Sequence, residues 1–282
     1  MSEGGIVVLD REELLSSGYV IVKDVLDQPL LDELRRVTDG LLAQQSAEDA
    51  ERYKYQGSNI SAAYQDPVFA RLFALPKALD ALRALGFTSP KWWSTFLLSK
   101  PPHAPPLYWH QDWWAWDDPI SASPVPAQVF LMYYLTDTNP INGCLRVIPG
   151  THYQRNPLHE LLPAAHTRET YEANPNSVIF SKRPDEIDVP MTAGDLLIGD
   201  ARILHAAHAN QTDRHRSLLT LWYFPDYDLL PDSIKAYAGR KKPLELPDWW
   251  AGDEGRLMEP LIPFYSGDAA PAVWNRVPRW EE

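Results

Sequence analysis

Apolar side chains recur along this chain with two different periods, and the change comes near Gly86. Before it, Leu30, Leu31, Leu34, Val37, Leu41 and Leu42 fall at spacings of three and four, one stripe of a helix. Asp27 stands where an N-cap belongs and Pro29 lies in the first turn. Residues 66–85 repeat the pattern, Pro76 breaks it into two pieces, and Gly86 closes it. Nearer the N-terminus the pattern predicts a short helix over 10–16 closed by Gly18, then a strand from Gly18 to Val25. After Gly86 the periodicity becomes that of strands. Lys91–Lys100, Val125–Thr136, Leu145–Ile148, Ser177–Phe180, Ile187–Met191, Leu196–Ile198, Ile203–Ala207 and Arg216–Phe224 all read as extended, punctuated by Pro, Gly, Asn and Asp. Many short strands between turn signals predict a sandwich or barrel.

Two segments do not fit either period. Thr151 to Asn176 contains Pro and His and is poorly periodic; so long a loop in a compact domain is expected to be functional, here a lid. The tail after Pro225 holds Trp249, Trp250, Trp274 and Trp280 and is expected to wrap the domain. There is no repeat and no linker between halves. The expected organisation is one domain over 1–282: helical support over 1–90, a β core over 91–225 with the lid at 151–176, and a C-terminal wrap over 226–282.

Composition narrows the class. With 45 % hydrophobic and 23 % charged residues, 282 residues bury a core without staples. A single cysteine, Cys144, rules out internal disulfides, zinc fingers and iron–sulfur clusters. A net charge of −12 argues against a nucleic-acid binder, which needs a basic face. No apolar run approaches the roughly 20 residues of a membrane span. Met1 to Gly5 lacks the basic start of a signal peptide, so a cytoplasmic location is expected.

The candidate chemistry lies in Tyr108-Trp109-His110-Gln111-Asp112-Trp113-Trp114-Ala115-Trp116. His110 and Asp112 are two apart, which on a strand or its end puts both on one face. An imidazole and a carboxylate there can hold adjacent positions of a metal. Downstream, Gly194 to Asp200 reads as a turn and strand, His205 follows on the next extended segment, and Arg216 lies eleven residues after it. Two imidazoles and one carboxylate leave three positions of Fe(II) open. A 2-oxo acid fills two of those and oxygen the third. The far carboxylate of that acid needs a permanent, forked cation, which is Arg rather than Lys.

His110-Gln111-Asp112, the Asn142-Gly143-Cys144-Leu145-Arg146-Val147-Ile148-Pro149-Gly150-Thr151-His152 segment and the Gly194-Asp195 to Arg216 stretch together resemble the phytanoyl-CoA dioxygenase family. The resemblance is good over about residues 90–225 and loose over the N-terminal helices. It implies a mainly β protein with flanking helices and a double-stranded β-helix (jelly-roll, cupin-like) core. It implies His110, Asp112 and His205 as iron ligands, Arg216 as the clamp on 2-oxoglutarate, and Fe(II), 2-oxoglutarate and O2 as cofactor and cosubstrates. The reaction it implies is oxidation, most simply hydroxylation, of an unactivated C–H. Related halogenases carry Gly or Ala at the Asp112 position, so the carboxylate points away from halogenation. Where the family often reads His-Gly-Ser, this chain has His205-Ala206-Ala207; where it often has Arg-Arg, this chain has His215-Arg216; Asn210 keeps the family's Asn.

Several residues have a plainer reading beside the functional one. His208 is the alternative to His205, but it lies only eight residues before Arg216. His152, His159 and His166 read as structural or surface histidines, and Cys144 as a core residue. Gln128 shares a strand face with Phe130 and Met132 and is expected to hydrogen-bond cosubstrate or substrate. Of the aromatic residues, Trp113 and Trp116 are expected to line the substrate pocket. The partner is a small-molecule metabolite or natural-product intermediate, with no nucleic acid and no membrane, for a monomer or homodimer. A cupin-type metalloenzyme without 2-oxoglutarate and a non-catalytic jelly-roll binding module are the other readings.

Overall fold

The computed structural model describes residues 9–239 and 246–278; Met1 to Gly5 and Trp280 lie outside them. Among the described residues, ten strands form two antiparallel sheets. They are β1 (Tyr19–Val22), β2 (Ser58–Ser61), β3 (Lys91–Lys100), β4 (Leu107–His110), β5 (Val129–Tyr134), β6 (Leu145–Ile148), β7 (Ile187–Val189), β8 (Leu196–Asp200), β9 (Leu204–Ala207) and β10 (Arg216–Phe224). The larger sheet runs β1-β8-β5-β10-β3-β2 and the smaller β4-β9-β6-β7. This is a jelly-roll core: the chain crosses repeatedly between two facing sheets, and the sheets stay separate.

Helices form near 10–16, after Asp27 and over 66–85, where capping and periodicity predict them. Asp27 accepts from the Leu30 N–H at 2.9 Å and starts α2 (Gln28–Ala43), after α1 (Arg11–Ser17) has closed on left-handed Gly18. A short α3 (Ala47–Arg52) follows, and Pro76 divides α4 (Val68–Phe73) from α5 (Pro76–Ala84). Leu31, Leu34, Phe69, Leu72 and Leu82 pack on Leu131, Tyr133, Leu219 and Leu221 of the larger sheet. The alternate residues Phe130, Met132, Tyr134 and Leu218 turn the other way and meet Leu145, Val147 and Val189 of the smaller sheet. β5 and β10 are therefore covered on both faces, which is why they read as unbroken apolar runs.

Three expectations change. Ser177–Phe180 is a 3₁₀ turn over Val178–Phe180, not a strand, because the Phe180 N–H donates back to Ser177 O and the Ser177 hydroxyl takes the Ile179 N–H. The predicted lid contains ordered turns, including α6 (Arg168–Tyr171). The tail is partly helical, with α7 (Asp232–Ala238) and α8 (Asp253–Met258).

Candidate active site

His110 ends β4, and Asp112 lies two residues on, where the Asp112 and Trp113 N–H groups both donate to Ala201 O at 2.8 Å. That carbonyl belongs to the turn from β8 to β9. A buried ion pair fixes the turn: Arg202 reaches Asp200 at 2.6 Å and donates onward to Ser121 O and Ser123 O. β4 pairs with β9, setting His110 opposite His205. His110 Nε2 lies 3.7 Å from Asp112 Oδ1, and His205 Nε2 lies 3.8 Å from Asp112 Oδ2. Each imidazole donates Nδ1–H to a carbonyl two residues back, Tyr108 O at 3.0 Å and Ile203 O at 3.1 Å. Both Nε2 lone pairs are thereby turned toward the shared space, an arrangement common to metal-binding histidines. Burial, followed by the neighbouring His205 and His166, pushes the His110 pKa well down, so its ring is neutral. Phe130 packs on His205 with ring centroids 5.1 Å apart, and its strand neighbour Gly199 makes room: a Cβ there would strike the Phe130 ring.

Asp112 is held from three further directions. Trp222 Nε1 donates to Oδ2 at 3.0 Å. Arg276, from the C-terminal tail, donates to the Asp112 carbonyl at 2.8 Å and reaches Oδ1 at 3.4 Å. His166 Nε2, from the lid, stands 3.6 Å from Oδ1. Burial works against an ionised Asp112, but His166, His205, His110 and Arg276 outweigh it and hold the pKa well below the usual carboxylate range. His166 itself is lowered to about 4, by burial first and then by Arg276. Its Nδ1 accepts from the Tyr108 hydroxyl at 2.9 Å and faces Gln56, which turns Nε2 toward the carboxylate. His166 thus corrects the expectation of a structural or surface histidine: its backbone sits at φ +61°, and its ring lines the site.

These groups open on a cavity of about 390 Å³ between the sheets. Its floor is a grid of alternate residues: Arg216, Leu218, Thr220 and Trp222 along β10, flanked by Phe96 and Leu98 of β3 and Met132 and Tyr134 of β5. Arg216 stands at one end and is buried, and among the described residues its guanidinium donates to no protein acceptor. Beside it, opposite in register, is buried Lys100, whose ammonium donates to Tyr55 O and Pro105 O and whose pKa is pushed far down by burial and then by Arg216. Asn210 ties this end together by donating to Lys100 O, Pro101 O and Arg214 O. Burial and the neighbouring guanidinium both press Lys100 toward its neutral form, and a buried Arg216 without a carboxylate partner is costly unless an anion joins it.

Other expected residues lie elsewhere. Trp113 and Trp116 are buried in the aromatic cluster behind the cavity, Trp113 donating to Ser121 Oγ at 2.7 Å, because the backbone bonds to Ala201 turn this segment inward. The indoles on the cavity wall are Trp93, Trp222 and Trp274. Gln128 precedes β5 in a bend and falls outside the cavity wall, its amide atoms without partners among the described residues. His208 points away from the triad and pairs with Asp188 at 2.6 Å. Trp222 carries no motif of its own, and Arg276 lies in an aperiodic tail, so only the fold could reveal either.

A jelly-roll core presenting two histidines and a carboxylate is the arrangement of the non-haem iron oxygenases. A model of the phytanoyl-CoA dioxygenase (PhyH) family matches residues 14–218, and the chain belongs to that family. It is 31 % identical over 152 residues to an ectoine dioxygenase of Nocardia farcinica, a match covering 48 % of this chain and about half, 47 %, of that protein. Among solved structures, EctD from S. alaskensis with bound Fe is similar with a TM-score of 0.59 and 21 % identity, over 96 % of this chain and 92 % of that one. The epimerase SnoN, in complex with Fe3+, alpha ketoglutarate and nogalamycin RO, is similar with a TM-score of 0.58 and 19 % identity, over 95 % and 96 %. At these identities the structures speak for a shared fold.

Proposed function

We propose that this protein is an Fe(II)- and 2-oxoglutarate-dependent dioxygenase that hydroxylates an unactivated C–H of a small metabolite or natural-product intermediate. The observation that carries the reading is the unpaired, buried Arg216 at one end of a cavity whose wall bears His110, Asp112 and His205. The donor set fits Fe(II), and the orphaned guanidinium fits the distal carboxylate of a 2-oxo diacid.

His110 and His205 would each offer Nε2, and Asp112 one carboxylate oxygen, with Trp222 and Arg276 fixing the rotation of that carboxylate. When bound, iron with 2-oxoglutarate couples decarboxylation of the 2-oxo acid to oxidation of a C–H bond by O2. Arg216 pairs with the far carboxylate and sets the depth at which the cosubstrate sits. Phe96, Leu98, Met132 and Leu218 exclude water from the floor, and Trp93 and Trp274 offer flat faces to the substrate at the other end. His166, neutral and delivered by the lid, presents a polar edge beside Asp112.

The size of the cavity supports the substrate class. About 390 Å³ is at the low end of the roughly 300–1,000 Å³ usual for ligand sites, suited to a cosubstrate and a small molecule rather than an acyl-CoA. In this reading residues 1–282 act as one oxygenase domain in the cytoplasm. Among the described residues no helix is long and apolar enough to cross a membrane.

The test is anaerobic. Purified apo-protein is mixed with Fe(II) and 2-oxoglutarate and watched for the weak visible charge-transfer band of the chelate, alongside Arg216→Ala and Asp112→Ala. A band in the unaltered protein, weakened in both variants, is expected. No band despite measured iron binding overturns the 2-oxoglutarate assignment in favour of a cupin-type metalloenzyme. With a substrate in hand, product analysis separates hydroxylation from an outcome such as the epimerisation named for SnoN.

A further inference from the structure

A second cluster of metal-ligating side chains lies on the opposite face of the smaller sheet. Leu145 and Ala207 line the cavity and Val189 packs between the sheets, so strand alternation turns Cys144, His208 and Asp188 the other way. The strands bring these three together. The His208 N–H donates to Cys144 O at 3.0 Å, and His208 Nε2 meets Asp188 Oδ1 at 2.6 Å. The Cys144 sulfur, a His208 ring nitrogen and an Asp188 oxygen all lie within 4.8 Å of one another. Cys144 is buried, while the His208 and Asp188 side chains are 26 % and 42 % exposed. Two solvent-facing ligands therefore stand over a covered sulfur.

We propose that Cys144, Asp188 and His208 bind a zinc-class divalent cation at a site separate from the His110–Asp112–His205 set. A thiolate, an imidazole and a carboxylate suit Zn²⁺, with water as a fourth ligand; Mg²⁺ and Ca²⁺ prefer oxygen alone. The bound metal deprotonates the thiol, and the two anionic ligands then neutralise the dication. The same trio suggests a cysteine nucleophile with its base and orienter, but a nucleophile needs room for substrate, and the cavity described above lies on the other side of the sheet. A cation needs no such room and enters where the exposed His208 and Asp188 part. The cation would join three neighbouring strands. β7, the edge strand, receives the chain from the lid, and β9 carries His205 three residues before His208. The site would clasp the return of the lid to the strand bearing the distal candidate ligand.

The test uses the full chain with the first site disabled, as the His110→Ala/Asp112→Ala double variant, titrated with Co(II). That first set holds no sulfur, so a thiolate-to-Co(II) charge-transfer band in the near ultraviolet reports the second site alone. One equivalent of Co(II) is expected to produce the band, Zn(II) to displace it, and Zn(II) to raise the melting temperature. Cys144→Ser should abolish the band. His208→Ala and Asp188→Asn, both at the surface, should each weaken binding about tenfold or more. Absence of the band at one equivalent in a folded protein overturns the proposal. So does a band indifferent to both surface substitutions, which would mean binding by the cysteine alone. Should Cys144→Ser not fold, those two variants decide.

Discussion

Replacing Trp222 by Phe removes one atom that matters, the Nε1–H that donates to Asp112 Oδ2 at 3.0 Å, and keeps an aromatic ring against Phe96. A hydrogen bond to an ionised group contributes about 1.5–3 kcal/mol, and partners of metal ligands are typically worth 10–100-fold in affinity. Here Arg276 continues to hold the Asp112 carbonyl and Oδ1, so the loss should fall at the lower end. We expect Fe(II) or Mn(II) affinity to weaken roughly tenfold, about 1.4 kcal/mol, in anaerobic calorimetric titration of Trp222→Phe. Phe96→Leu disturbs the same ring contact without touching Asp112 and should leave metal affinity within a factor of about two. The reasoning fails if Trp222→Phe binds metal as tightly as the unaltered protein, or if Phe96→Leu weakens it equally.

Other predictions follow from the same geometry. Gly199→Ala drives a Cβ into the Phe130 ring packed on His205, so it should weaken metal binding as well as stability; unchanged metal affinity would show that Phe130 does not position His205. Arg202→Met strands the buried Asp200 carboxylate and should cost about 3–5 kcal/mol in denaturant unfolding. Trp274→Ala should raise the KM for substrate and leave 2-oxoglutarate affinity unchanged, whereas Trp113→Phe should cost about 1 kcal/mol of stability through the lost Ser121 bond and leave KM alone. The metal-free protein should lose stability as pH falls from 7 to 5. His159 and His166 are both lowered to about 4 by burial, so the unfolded chain takes up protons near pH 6.5 that the folded chain refuses, at a cost on the order of 1–2 kcal/mol per histidine at pH 5. A melting temperature flat over that range would refute this.

The sequence made some of this legible and hid the rest for physical reasons. Helices α2 and α5 could be read because each buries one stripe, and α4 because Pro76 marks off its apolar run. β3 and β10 could be read to the residue because they are long, and β6 because Asn142-Gly143 and Pro149-Gly150 bracket it. β2 and β4 were invisible, since Ser58–Ser61 has one strongly apolar residue and Leu107–His110 is set off by prolines. The candidate triad could be read because the two-residue spacing of His110 and Asp112 suits a strand and the family resemblance supplied His205. The groups that steady Asp112 could not: Trp222, His166 and Arg276 converge from β10, the lid and the tail, and no local pattern relates them. The tryptophan run at 113–116 misled because local richness in aromatics does not say which face of the backbone meets the cavity.

The bond from Arg276 to Asp112 spans 164 residues and so has a meaning in time. At the 5–20 residues per second of protein synthesis, roughly 10–30 s pass between the appearance of Asp112 and that of the guanidinium that steadies it. Over the last 71 of those residues, once His205 has been made, His110, Asp112 and His205 can come together on a nascent chain while the carboxylate still lacks Arg276. A nascent chain would then bind metal loosely and release it readily, and the tight site would date from the docking of the segment that carries Arg276.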